Sequence, residues 1–131
     1  MKRIIDISPP LSPETAVYPG DTPLSRHVAL DMKSGDILTL SSITTTLHVG
    51  AHTDAPSHYA KDGDSIEKRP LDRYIGDCQV IHVDVGPRER IQPSHLTVPI
   101  TAARVLFRTN TFPNPNHFSE DFAALSPALI T

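Results

Sequence analysis

A chain of 131 residues is the size of one compact domain, and a hydrophobic content of 38% is enough to build a core at that length. Twelve basic against fifteen acidic residues leave a net charge of −3 with the two signs interspersed, which argues against nucleic acid or an anionic membrane as partner. The single cysteine, Cys78, excludes an internal disulfide and a thiolate metal centre.

In chain order, Arg3 to Ile7 reads as a short strand stopped by Ser8-Pro9-Pro10, because proline removes a ladder donor and restricts the residue before it. A long proline-rich loop follows, with turn chemistry at Tyr18-Pro19-Gly20-Asp21. Ser25 to Leu30 and Ile37 to Leu47 have strand composition and flank the turn Lys33 to Asp36, which predicts a hairpin or meander. Lys61 to Asp64 is a second turn, and Pro70 to Ile75 a helical turn with proline near its start. Val80 to Val85 is the clearest strand, apolar enough to suit a central position, and Arg104 to Arg108 is another. Cys78, just before the clearest strand, reads as a small buried hydrophobe. Ser126-Pro127 begins a helix, with Ser as cap and Pro at the first helical position. These elements describe a mixed α/β domain over 1–131. No apolar run approaches the roughly 20 residues that span a bilayer, and no hydrophobic signal segment leads the chain, so a soluble, cytoplasmic protein is expected.

Seven histidines stand out against three tyrosines and four phenylalanines. Three of them fall in one stretch with an aspartate: His48, His52, Asp54 and His58, spaced HxxxHxDxxxH. All four occupy even positions, so on extended backbone they share one side, and Gly50 and Pro56 oppose a helix. Two imidazoles and a carboxylate on one face are ligand types suited to Zn or Mn. His58, displaced past Pro56, reads as an acid/base group beside that centre, and the implied reaction class is hydrolysis of an amide, ester or lactam. The bland alternative, a solvated polar strand face, is weaker for three histidines and an aspartate in phase than for any one of them. His82 and Asp84 share a strand face and read as a satisfied strand histidine and a surface aspartate, while His27, His95 and His117 read as surface residues.

The stretch His48 to His58 resembles the HxGTHxDxPxH signature of the metal-dependent cyclase-like hydrolases. Asp6 to Pro13, Val17 to Pro23, Pro70-Leu71, the strand Val80 to Val85 and Val105 to Thr109 are similar to the kynurenine formamidase branch of that family in particular. The resemblance implies a cyclase-like α/β domain with a β-barrel-like mixed sheet and few helices, acting as a homodimer on a small amide. The implied reaction is hydrolysis of N-formyl-L-kynurenine to L-kynurenine and formate in tryptophan breakdown, with two zinc ions per subunit. His48, His52 and Asp54 would hold one metal, with Asp54 bridging to the second. His58 would be the acid/base residue, and Tyr18 would stand against the substrate. The family takes a further histidine and glutamate from a later part of its domain, and His117 and Glu120 do not stand in that motif. The expectation is therefore that this chain is the front portion of the family domain, with a related cyclic-amide hydrolase, or an inactive or single-metal fragment acting only as a binding or assembly module, as the alternatives.

Overall fold

From Ser25 onward, β-branched and apolar residues recur on both sides of a polar turn, and the chain doubles back as an antiparallel hairpin of β1 (Ser25–Leu30) and β2 (Leu40–Thr44). The computed structural model describes residues 4–130. Their contacts divide into two compact units, Met1–Asp54 with Asn114–Phe118, and Ala55–Pro113 with Ser119–Thr131.

In the first unit the hairpin register runs from Ser25 opposite Thr44 to Val28 opposite Ser41, and a bulge then brings Leu30 opposite Leu40. The hairpin is the expected one, with the second strand shorter than Ile37 to Leu47. Asp31 builds the connection: its carboxylate accepts from the Lys33 amide, while its own amide donates to Asp36. Beyond the last strand pair, the Thr46 amide donates to the Thr22 carbonyl at 2.9 Å, extending the pairing toward the histidine cluster. Every strand residue is exposed, and the buried residues of this unit are Thr15, Thr46 and Val49. No strand forms at Ile4 to Ile7, which are exposed; Arg3 lies outside the described residues. Lacking a neighbour to complete a ladder, that apolar stretch has no use for its strand propensity. The Asn114–Phe118 segment joins this unit through the Ala16 amide, which donates to the Pro115 carbonyl at 2.9 Å.

The second unit holds two short parallel pairs: β3 (Gln79–His82) with β5 (Val105–Arg108), and β4 (Arg90–Ile91) with β6 (Ala124–Leu125). Its core is Ile81, Val83, Val85 and Ile91, against which Leu96, Val105, Phe107, Ala123 and Leu129 are packed. The stretch Val80 to Val85 therefore alternates. Ile81 and Val83 are each 1% exposed, but Val80 is 61% exposed, so this is a strand with one buried face and not a central strand covered on both. Cys78 is exposed, correcting the expectation that it is buried. Single 3-10 turns occur at Pro56–His58, Ile66–Lys68, Leu71–Arg73 and Pro93–His95, the third falling where Pro70 predicts a helical turn. The short helix α1 (Pro127–Ile130) starts as its Ser-Pro sequence predicts: the Ser126 hydroxyl accepts from the Leu129 amide at 3.2 Å. The result is a mixed α/β arrangement with few helices. Its strands pair two by two, and the described residues form no closed barrel. Among them no helix is long and apolar enough to cross a membrane.

Candidate metal centre

The hairpin delivers the histidine cluster. After β2 the backbone turns through residues 47–51 instead of continuing as strand, so the four even positions do not share a strand face. Gly50 makes the turn, with φ at 61°, a conformation that side-chain-bearing residues rarely adopt. A Cβ here would also run into the side chain of Leu11. This bend folds His52 back onto His48, with ring centroids 5.1 Å apart and the rings nearly perpendicular.

Three donor atoms converge as a result. His48 Nδ1 lies 3.2 Å from His52 Nε2 and 2.9 Å from Asp54 Oδ1, and His52 Nε2 lies 3.4 Å from the same oxygen. Around a tetrahedral ion with bonds of about 2.0–2.1 Å, neighbouring ligand atoms stand about 3.3 Å apart, so the spacing fits. The tautomers fit as well. His52 Nδ1 stands 2.8 Å from the Gly50 carbonyl and donates its proton there, leaving the lone pair of Nε2 facing His48 and Asp54. His48 Nδ1 then carries the proton shared with His52 Nε2, the proton that a metal ion would displace.

Asp54 supplies the third observation. Its Oδ1 is buried yet accepts no hydrogen bond among the described residues, because the nearby His48 ring nitrogen is close enough for an ion pair but not aligned as a donor. A buried carboxylate oxygen without a donor is costly, and a cation between the three atoms removes that cost. The residues present therefore fit a divalent metal ion.

Tyr18 belongs to the same unit, in the turn closed by the Asp21 amide on the Tyr18 carbonyl at 2.9 Å, and its ring meets Phe118 edge to face at 5.4 Å. That Phe118 shares this aromatic pair was not legible, since it lies a hundred residues further along the chain. Asp21 and Thr46 were also missed. The Thr46 hydroxyl donates to Asp21 at 2.5 Å and accepts from the His48 amide at 3.2 Å. The Asp21 carboxyl is held below the usual carboxylate range, first by the Thr46 hydroxyl and next by the Thr22 amide, with a smaller contribution from His48. The one signal in the sequence was the threonine run 44–46 ending two residues before His48, the spacing at which a hydroxyl bonds a backbone amide.

His58 sits in the second unit, on the Pro56–His58 turn, with its amide donating to the Ala55 carbonyl at 2.9 Å and its ring edge to face with Tyr59 at 4.4 Å. Ser57 donates to the Asp64 carbonyl at 3.1 Å, closing the loop. Two of the other histidines take structural roles. His82 Nε2 meets the Asn110 amide at 3.3 Å, and His95 Nδ1 accepts from the Gln92 amide at 3.3 Å.

The Cyclase family model, described as "Putative cyclase", matches residues 5–129, nearly the whole chain. The chain belongs to the Cyclase family, a membership that fits a cyclase-like hydrolase.

Proposed function

We propose that the protein is a metal-dependent amide hydrolase that converts N-formyl-L-kynurenine to L-kynurenine and formate, a step of tryptophan breakdown. The observation that supports it most is the convergence of His48 Nδ1, His52 Nε2 and Asp54 Oδ1 within 3.4 Å of one another, with the aspartate oxygen buried and lacking a donor. Zinc is the ion we assign, to be held by these three residues, with Asp54 having a second oxygen to offer another ion. When bound, such an ion supplies Lewis acidity and lowers the pKa of water toward neutrality.

The chain's own residues do the rest. Gly50 fixes the His52 ring through its carbonyl, so that ligand needs no reorganisation. Water adds to the formyl carbon, and the C–N bond breaks. We assign His58 the proton transfer: it takes the proton from the attacking water and returns it to the departing aryl amine. Three residues of chain separate His58 from Asp54, and the four steps reach at most about 14 Å when fully extended. Tyr18, edge-on to Phe118, is assigned to the aryl ring of the substrate. We also propose that the protein works in the cytoplasm as a homodimer, a reading supported by Ile37, Ile43 and Leu47 of the first unit, which are 92%, 67% and 88% exposed.

The test is kynurenine release from the formylated substrate, followed by absorbance with added zinc or manganese and again after chelation. Release that depends on the metal and is lost in His58→Ala supports the reading. Turnover of a cyclic amide such as isatin with none of the formyl substrate moves the assignment to a lactam hydrolase, and no turnover of either at saturating metal overturns it.

A further inference from the structure

We propose that Asp21 and Thr46 form a clasp that positions the His48–His52 ligand pair and ties the Tyr18 turn to it. Thr46 is 9% exposed, and both its hydroxyl and its amide are used. Its hydroxyl proton goes to Asp21 Oδ2 at 2.5 Å, a lone pair of the same oxygen takes the His48 amide at 3.2 Å, and its amide goes to the Thr22 carbonyl at 2.9 Å. Both carboxylate oxygens and the amide of Asp21 are used as well. Its second oxygen accepts from the Thr22 amide at 2.7 Å, and its own amide closes the turn on the Tyr18 carbonyl at 2.9 Å.

Two features distinguish this from ordinary loop bonding. The backbone bond between Thr46 and Thr22 already joins the two segments, so the side-chain bonds add something else, a direction imposed on the His48 amide. A hydroxyl that donates to a carboxylate is also polarised, and its oxygen becomes a stronger acceptor for that amide. Asp21 forms no ion pair with a Lys or Arg among the described residues, so its charge is stabilised chiefly by the hydroxyl and the amide. The clasp acts through His48, which makes Asp21 and Thr46 positioning residues and not catalytic ones. The inference rests on the metal reading above for its consequence, but its geometric part does not need the metal.

The experiment titrates zinc alone, against a competing chromophoric chelator, into the full chain and into Thr46→Val, Thr46→Ser and Asp21→Ala, with thermal melts on each. In parallel, the ring nitrogens of His48 and His52 are observed by NMR in the metal-free proteins, with His82 and His95 as internal references. The expected result is zinc binding weakened about 10- to 100-fold in Thr46→Val and Asp21→Ala, with Thr46→Ser restored to within about threefold. The His48 and His52 ring signals are expected to move in the first two variants but not in Thr46→Ser. Unchanged zinc affinity and unchanged ring signals in Thr46→Val, even with a lower melting temperature, overturn the clasp and leave the metal reading intact. If the unaltered chain binds no zinc but the ring signals still move in Thr46→Val, the metal reading falls and the positioning role stands.

Discussion

His52 is tied to Gly50 by a single bond that also selects its tautomer: Nδ1 donates across 2.8 Å to a carbonyl that faces it because Gly50 holds φ at 61°. The bond places the lone pair of Nε2 3.4 Å from Asp54 Oδ1. Ligand orientation is therefore encoded in the backbone of a residue that has no side chain.

Gly50→Ala tests that encoding. The new methyl group meets Leu11, and an alanine at positive φ costs about 1–2 kcal/mol before any clash is counted. The expected outcome is a lower denaturation midpoint together with weaker zinc binding. Gly50→Ala with Leu11→Ala should recover the part due to the clash but not the part due to φ, so a double variant as stable as the unaltered chain would refute the backbone argument.

Asp54→Asn addresses the orphaned oxygen. If Oδ1 is kept buried for a cation, the neutral amide removes the charge and most of the affinity, and zinc binding should fall by more than the roughly 10- to 100-fold seen when a supporting residue is lost. In the metal-free protein the same change relieves an unsatisfied carboxylate, so stability should hold or rise slightly. The pair of measurements, affinity down and melting temperature not down, separates a ligand from a structural carboxylate.

The hairpin and the helix start at Ser126 were legible because each rests on local chemistry: apolar and β-branched residues on either side of a turn, and a serine before a proline. The ligand types were legible for the same reason. Their arrangement was not. Placing all four on one extended face follows from period two, but Gly50 adopts a conformation that no periodicity encodes, and it brings His48 and His52 together by a bend. The β4–β6 pair was missed because Arg90–Ile91 and Ala124–Leu125 are two residues each, too short to carry a pattern, and are paired across more than thirty positions. Phe118 and Tyr18 meet across a still longer gap of a hundred positions. Strand propensity at Ile4 to Ile7 had the opposite failing, a real local signal with no partner to satisfy it.

Gly63 sets the shape of the loop that carries His58. A Cβ there would stand 2.5–2.7 Å from the Pro56 carbonyl group and the Ser57 nitrogen, backbone atoms that cannot swing aside. Gly63→Ala should destabilise the protein by about 1–3 kcal/mol, the range for overpacking. Because the Ser57–Asp64 bond closes the same loop, turnover should fall more than zinc affinity does. Equal losses in both would place the damage in general folding.

Ile81 and Val80 are neighbours on β3 with opposite expected responses. Ile81 is 1% exposed in the core, and Ile81→Ala should cost about 2–5 kcal/mol by urea unfolding. Val80 is 61% exposed, and Val80→Ala should change stability by no more than about 0.5 kcal/mol. A large loss at Val80 would show that its face is covered in solution, as expected if self-association uses that side of the strand.

Asp21 gives the pH dependence. Folding lowers its pKa, chiefly through the Thr46 hydroxyl and then the Thr22 amide, so the folded state favours the carboxylate. The stability this confers is present above the unfolded value of about 3.9 and is lost as pH falls through the lower folded value. The stability difference between the unaltered chain and Asp21→Asn should accordingly be constant from pH 7 to pH 5 and shrink below about pH 4. Protonated, the carboxyl no longer offers two anionic acceptors, and the asparagine becomes its near equal. Urea unfolding of both proteins at a series of pH values measures that difference, and a gap that stays constant down to pH 2 would show that the asparagine fails for a reason of shape and not of charge.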